Sequence, residues 1–162
     1  MSVASYSRMQ IRLHWAVVGL VAIQFLFGEG MAHAFDAFVE TGQRAVTLGA
    51  GLHILSGLLI LVLAFWRLGL RFLHGVPDPD PSHSKAQVML ARVIFGLFYI
   101  LMVLLPVSGF IAFSQGSEVA ADLHSMLRVV MLLLIVLHVA AALAGQFVKK
   151  DGSLMRIMKP SD

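Results

Sequence analysis

Histidine is the residue type in this 162-residue sequence best suited to metal or redox chemistry, because the chain has seven histidines and no cysteine. The absence of cysteine excludes disulfides, iron–sulfur clusters and covalent haem attachment, so a metal centre must use histidine, methionine, tyrosine or carboxylate ligands. Four histidines lie within or at the ends of long apolar segments: His14, His53, His124 and His138. Ionisable side chains are costly in such segments and are usually functional there.

Two of these histidines share one segment, at positions 124 and 138. On an α-helix their side chains lie about 40° apart around the axis and about 21 Å apart along it. One metal centre cannot use both side chains. Two centres on one face of the helix can, and each then needs a second ligand from another segment.

The elements that position these side chains are predicted to be membrane helices. Hydrophobic residues make up 59% of the chain and charged residues 13%, whereas soluble domains have about 45–50% and about 25%. A bilayer core requires about 20 apolar residues in a helix, and four segments are long enough: residues 13–34, 46–68, 89–113 and 119–148. We therefore predict an all-α, integral membrane four-helix bundle forming one domain over residues 1–162.

Polar connections separate the four spans. Residues 29–44 are predicted to be a linker, and residues 75–85 contain three prolines, which a continuous helix does not tolerate. The third connection, residues 114–117, is a short turn in which Ser117 is suited to cap the fourth helix.

Basic residues predict the orientation of the bundle, since cytoplasmic flanks are enriched in lysine and arginine. One side has only Arg44 and Arg128, together with five acidic residues: Glu29, Asp36, Glu40, Glu118 and Asp122. The other side has ten basic residues: Arg8, Arg12, Arg67, Arg71, Lys85, Arg92, Lys149, Lys150, Arg156 and Lys159. Both termini are therefore predicted to be cytoplasmic.

This topology pairs the four histidines by depth. His14 and His138 fall at the cytoplasmic side, and His53 and His124 at the outer side. Two neutral imidazoles on one iron are typical of an electron-transfer haem, so we predict two haems stacked across the bilayer. The third span has no histidine and is expected only to close the bundle. The remaining histidines are predicted to be exposed polar residues: His33, His74 and His83.

The sequence resembles bacterial cytochrome b561 proteins over nearly its whole length. The similarity is carried by residues 6–15 (Tyr-Ser-Arg-Met-Gln-Ile-Arg-Leu-His-Trp), 53–57, 66–71, 105–109 (Leu-Pro-Val-Ser-Gly), 137–143 (Leu-His-Val-Ala-Ala-Ala-Leu) and 150–158. It implies a four-helix membrane oxidoreductase with two haem b groups, and it places the family's ligands on the same four histidines. Two features depart from the family pattern: a very short third connection, and Gly145-Gln146 where a pair of histidines is usual.

Three arginines are candidate contacts for the haem or its redox partner. Arg67 and Arg71 lie near the expected cytoplasmic haem, where they are suited to haem propionates or a quinone, although positive-inside anchoring is the ordinary explanation for them. Arg128 follows His124 by one helical turn. It is suited to a propionate or an approaching anion, or to lipid headgroups.

The resemblance implies two functions. Some family members resemble superoxide oxidases, which oxidise superoxide outside the bacterial inner membrane and reduce ubiquinone. Others resemble haem-carrying anchor or relay subunits of larger dehydrogenases, and an acidic outer surface suits a basic redox protein. A haem-free transporter or scaffold is the third alternative. Nucleic-acid binding is not supported, because the basic residues flank membrane spans.

Overall fold

Four long α-helices form the chain in the computed structural model, which describes residues 6–160. They are α1 (Arg8–Thr41), α2 (Leu48–His74), α3 (Lys85–Gln115) and α4 (Glu118–Ala144), followed by a π-helical turn (Gly145–Lys149) and a 3₁₀ turn (Met155–Ile157). The described residues contain no β-strand. Each helix is long and apolar enough to cross a membrane. The predicted all-α, four-helix architecture is thus confirmed, while residues 1–5 and 161–162 of the predicted domain lie outside the described residues.

Hydroxyl side chains begin all four helices. Each accepts a hydrogen bond of 3.2 or 3.3 Å from the backbone N–H three residues later, which satisfies a donor that has no partner in the helix. The capping residues are Ser7, Thr47, Ser84 and Ser117. The prediction for Ser117 is therefore confirmed. The first and third helices end at Gly42 and Gly116, both in the left-handed conformation that stops a helix.

The predicted linker over residues 29–44 is wrong in most of its length, because α1 continues to Thr41. Two side chains four residues apart explain the continuation. Ala34 is buried, and the ring of Phe38 lies edge-on to Phe113 of α3 at 6.1 Å between centroids. The polar residues of this extension occupy its other face, and the linker is only residues 42–47.

A buried apolar core fills the middle of the bundle, where α1 packs chiefly on α2 and α3 chiefly on α4. Its seven buried residues are Val17, Ile60, Ala64, Leu101, Met102, Met131 and Leu134. Most other large apolar side chains point outwards and are exposed, for example Leu26, Leu58 and Phe110. Lipid accepts such a surface, whereas water does not.

The two ends of the bundle are built differently. We call the end with both termini and the α2–α3 loop the terminal end, and the other the far end. Only two short connections close the far end. There Arg44 donates a hydrogen bond to the carbonyl of Ser114 and lies over the ring of Phe38, 4.6 Å from its centroid.

At the terminal end, the chain after α4 folds against the α2–α3 loop, and we call these contacts the C-terminal clasp. His83 Nε2 lies 2.8 Å from Asp151 Oδ2, and the Asp151 side chain is only 2% exposed. Arg156 donates to the carbonyl of Asp78 at 2.8 Å and lies 3.4 Å from the Asp80 carboxylate. The prediction that His83 is merely exposed is therefore wrong, since its side chain is 24% exposed and paired.

Gly145, the first residue of the π-helical turn, permits this close packing. A Cβ atom there would lie 2.5 Å from Ser153 Oγ and 2.9 Å from the Asp151 carboxylate oxygens. Burial raises the pKa of Asp151, but hydrogen bonds from Ser153 and His83 outweigh it and hold the pKa below its usual value. The tail thus folds back into the space beside Gly145, one of the two positions that depart from the family pattern. His33 and His74, in contrast, are exposed as predicted.

Candidate functional site

Two pairs of histidine rings face each other across the bundle. At the terminal end, His14 of α1 and His138 of α4 have ring centroids 6.4 Å apart, with 60° between the ring planes. At the far end, His53 of α2 and His124 of α4 have centroids 6.2 Å apart, with 64° between the planes. These are the two pairs that the depth argument predicted. The apolar core lies between them along the helix axes.

The spacing within each pair fits one metal ion held between two imidazoles. Imidazole nitrogens bind transition metals at about 2 Å, so rings on opposite sides of one ion have centres roughly 6 Å apart. Within residues 6–160, no group of three or more His, Cys, Asp and Glu side chains forms a metal-ion site. Two ligands per centre are incomplete for zinc, but they match the two axial positions of a haem iron, whose other four ligands belong to the porphyrin.

Polar groups surround the far-end pair. His124 Nδ1 lies 3.0 Å from the carbonyl oxygen of Leu105 and 3.2 Å from Ser108 Oγ, both on α3. Gln24 of α1 donates from Nε2 to the carbonyl of His53 at 2.7 Å and to Ser56 Oγ at 2.8 Å. These bonds fix both the helix that carries His53 and the ring of His124.

His53 itself has a buried Nδ1 atom with no hydrogen-bond partner among the described residues. A buried polar nitrogen without a partner is unusual in a folded protein. Either metal coordination or a hydrogen bond would satisfy it. The observation is therefore consistent with a ligand-binding role for this ring.

Aromatic rings and one cation surround the terminal-end pair. Trp15 lies edge-on to His14 at 5.4 Å between centroids, and its indole N–H donates to the carbonyl of Ile157 in the clasp at 3.1 Å. Phe95 and Phe98 of α3 lie edge-on to His138 at 5.9 and 5.5 Å. This packing restricts the rotation of both imidazoles.

Of the three predicted arginines, Arg67 makes a direct contact with a site histidine. Its Nη2 atom lies 3.2 Å from His14 Nδ1. Arg71, one turn later, is close to Tyr6. Burial raises the pKa of the Tyr6 phenol, and the charges of Arg71 and Arg67 oppose the shift.

Arg128 is exposed one turn after His124, and its guanidinium lies beside Gly28 of α1, where a Cβ atom would be in ordinary contact with it at 3.8 Å. The contacts that would make Arg71 or Arg128 a haem or quinone ligand stay predictions.

Sequence reasoning missed the contribution of α3, which was expected only to close the bundle. Ser108 belongs to the Leu-Pro-Val-Ser-Gly segment that carried part of the resemblance, but nothing in the sequence alone connects it with His124. Gln24 was also missed. A glutamine in the middle of an apolar span was the available signal, because amides in membranes require a partner.

The chain is similar to known proteins over nearly its whole length. The sequence profile described as prokaryotic cytochrome b561 matches residues 5–160. Cytochrome b562 of Cereibacter sphaeroides is 39% identical over 155 residues, covering 96% of each chain. The probable superoxide oxidase CybB of Yersinia pestis is 30% identical, covering 94% of this chain and 95% of its own. Cytochrome b561 homolog 1 of Escherichia coli is 26% identical, covering 94% and 96%.

Proposed function

Because the chain belongs to the prokaryotic cytochrome b561 family, and is therefore a multi-pass membrane electron-transfer protein that carries haem b, we propose that it binds two b haems. His14 and His138 hold one, and His53 and His124 hold the other. The observation that carries this proposal is the presence of two separate histidine pairs with ring centroids 6.4 and 6.2 Å apart. Both distances suit two axial ligands on one iron.

Haem supplies one-electron redox chemistry when it is bound. The protein's own residues would hold the histidine rings in place. Gln24 fixes α2 at His53, while Phe95 and Phe98 pack against His138. Each haem would be held by two histidines, and a haem held in this way would serve electron transfer rather than ligand chemistry at the metal.

The proposed reaction joins a one-electron donor at the far end to ubiquinone in the membrane. With both termini in the cytoplasm, the far end faces the periplasm of a bacterial inner membrane. Oxidation of two superoxide ions to dioxygen releases two electrons, which together with two protons reduce one ubiquinone to ubiquinol. The relative described as a probable superoxide oxidase supports superoxide as the donor.

A surface groove that runs from the terminal-end half of α2 to the middle of α3 supports a quinone site on that part of the bundle. An apolar groove lined by Leu68, Tyr99, Ile100, Val103 and Leu104 opens on the bundle surface. One of its lining residues, Tyr99, interacts electrostatically with Arg67, which contacts His14. A membrane-soluble quinone reaches such a groove from lipid, and the guanidinium is suited to hydrogen-bond its carbonyl oxygen.

A relay function, in which a basic redox protein supplies the electrons, is favoured by one observation. The extension of α1 beyond the far-end pair carries exposed Glu29, Asp36 and Glu40. This acidic surface complements a basic partner and does not attract an anion such as superoxide.

The first experiment is haem quantification as the pyridine haemochrome on the purified chain. We expect two b haems per chain in the wild type and about one in either His14→Ala or His124→Ala. His33→Ala, which changes an exposed histidine, should retain two. One haem or none in the wild type would contradict the proposal.

A second experiment distinguishes the two functions. Purified protein with added ubiquinone should accelerate superoxide loss and form ubiquinol if it is a superoxide oxidase. If it shows no such activity, but a basic electron-transfer protein reduces its haems, the relay function is correct.

A further inference from the structure

Helix α3 contains no histidine, but two of its polar groups contact the ring of His124 on α4. The Leu105 carbonyl oxygen lies 3.0 Å from His124 Nδ1, and Ser108 Oγ lies 3.2 Å from the same nitrogen. Ser108 also donates to the Leu105 carbonyl at 3.0 Å, and the serine is 6% exposed. Two polar groups thus converge on one nitrogen in an otherwise apolar part of the bundle.

Neighbouring residues shape the same place. A Cβ atom at Gly109 would lie 3.1 Å from both Cε1 and Nδ1 of His124, so glycine makes room for the ring. Pro106 lacks a backbone N–H and therefore leaves the Met102 carbonyl without its usual helical donor, which loosens the helix at this turn. We call residues 105–109 the His124 socket.

The socket determines which nitrogen of His124 carries the proton. A backbone carbonyl can only accept a hydrogen bond, so the Nδ1 atom beside Leu105 must donate. A neutral imidazole with its proton on Nδ1 has its lone pair on Nε2, which is then available to a metal. The socket also fixes the direction in which Nε2 points.

At the other pair, the corresponding contact has the opposite electrostatic character. The guanidinium of Arg67 lies 3.2 Å from His14 Nδ1. A guanidinium only donates hydrogen bonds, so it cannot accept the Nδ1 proton that His14 would carry when bound to iron through Nε2. With haem bound, Arg67 would therefore act on the His14 ring through its positive charge alone, whereas a hydrogen bond from Nδ1 to a carbonyl makes the His124 ring a stronger donor to iron.

We propose that the Leu105 carbonyl and Ser108 are positioning groups for His124 that lower the reduction potential of the far-end haem below that of the terminal-end haem. This inference rests on the proposed function, since it takes the four histidines as axial ligands. A more electron-rich ligand favours ferric iron, and a cation beside the other ligand favours ferrous iron. Electrons consequently move from the far end to the terminal end, which is the direction that the proposed reaction requires.

Redox titration of the purified holoprotein, monitored by haem absorbance and by the low-spin signals in electron paramagnetic resonance, tests the proposal. Ser108→Ala should raise the lower midpoint by a threefold change in the ferric–ferrous equilibrium, about 30 mV at 59 mV per tenfold for one electron. Ser108→Thr retains the hydroxyl and should restore the wild-type midpoint. Ser114→Ala is the matched control, because Ser114 also contacts the carbonyl three residues earlier on α3 but no histidine.

Arg67 gives the complementary test. Arg67→Gln should lower the higher midpoint, and Arg67→Lys, which retains the charge, should keep it close to wild type. The two positions must therefore move different midpoints in opposite directions.

Two results would overturn the inference while leaving the proposed function intact: two haems whose midpoints do not respond to Ser108→Ala, or one midpoint that responds to both positions. Fewer than two haems in the wild type would overturn the proposed function and the inference together. If Ser108→Ala does not fold, the Arg67 variants still decide whether the higher midpoint belongs to the terminal end.

Discussion

The far end and the terminal end each contain a pair of facing histidines, but the surroundings of the two pairs differ. At the far end, His124 contacts a carbonyl and a hydroxyl, and an amide from Gln24 holds the backbone of His53. At the terminal end, aromatic rings pack against His138 and a guanidinium approaches His14. The ligand type alone therefore does not define a centre, because its hydrogen bonds and nearby charges differ.

The chain segments that close the bundle also differ between the two ends. Connections of a few residues close the far end, whereas the clasp covers the terminal end and reaches His14 through Trp15 and Ile157. Changes in the socket should thus affect the far-end pair alone, and changes in the clasp should affect the terminal-end pair alone. The following predictions test that separation, in order of decreasing effect.

The largest effect is expected from Gly109→Leu. Its Cβ atom would lie 3.1 Å from the His124 ring, and the added side chain must displace that ring. Haem content should fall from two to about one per chain by pyridine haemochrome. Gly96→Leu on the same helix is the control, since a Cβ there meets no atom of the described chain within 4 Å. Equal haem loss in both variants would show that general helix damage is responsible.

Gly145→Ala should weaken the clasp. The new methyl group would overlap Ser153 and Asp151, and overpacking of this kind costs about 1–3 kcal/mol. We expect a lower thermal midpoint for loss of the terminal-end haem signal, with the far-end signal unchanged. Gly69→Ala, where a Cβ has open space, should be neutral or slightly stabilising. Destabilisation of both haems by Gly145→Ala would contradict the separation of the two ends.

Trp15→Phe should have a smaller effect at the same end. It retains an aromatic ring beside His14 but removes the hydrogen bond to Ile157, worth about 1 kcal/mol. Limited proteolysis should cut the tail faster than in the wild type, while the far-end midpoint stays constant. A tail that is cut at the wild-type rate would show that this bond does not hold the clasp.

Acid should open the clasp by a modest amount. The pKa of Asp151 in the folded protein lies below its usual value of about 3.9. Its contribution to stability is therefore complete above that value and is lost as the pH falls through the lower, folded pKa. The thermal midpoint for loss of the terminal-end haem signal should fall in this acidic range, and Asp151→Asn should reduce the dependence of that midpoint on pH. An unchanged pH profile in Asp151→Asn would assign the effect to other groups.

Hydropathy and segment length were sufficient to predict the four helices, because lipid imposes length and apolarity on each span. Ser117 and the prolines of the α2–α3 loop were also informative, because capping and helix breaking depend only on local sequence. Depth also paired the rings that face each other in the structure, although their role as ligands stays a prediction.

Contacts between distant segments were not predictable. The acceptor for His124 is a backbone carbonyl, and every residue has one, so Leu105 carries no signal in the sequence. His83 resembled a loop residue because Asp151 lies 68 positions later. Residues 29–41 resembled a linker because they contain several charged residues, and the sequence does not show that Ala34 is buried or that Phe38 contacts α3.

Helix α4 supplies one member of each histidine pair, and this has a consequence for biogenesis. A nascent chain that has emerged only as far as the α3–α4 turn contains His14 and His53 but neither partner. Both centres are therefore completed by the same late event, the docking of the last helix. The contact between Trp15 and Ile157 spans 142 positions, so the terminal end closes only after α4 and the segment that follows it have been synthesised. On the proposed assignment, neither haem site is complete before the last helix has docked.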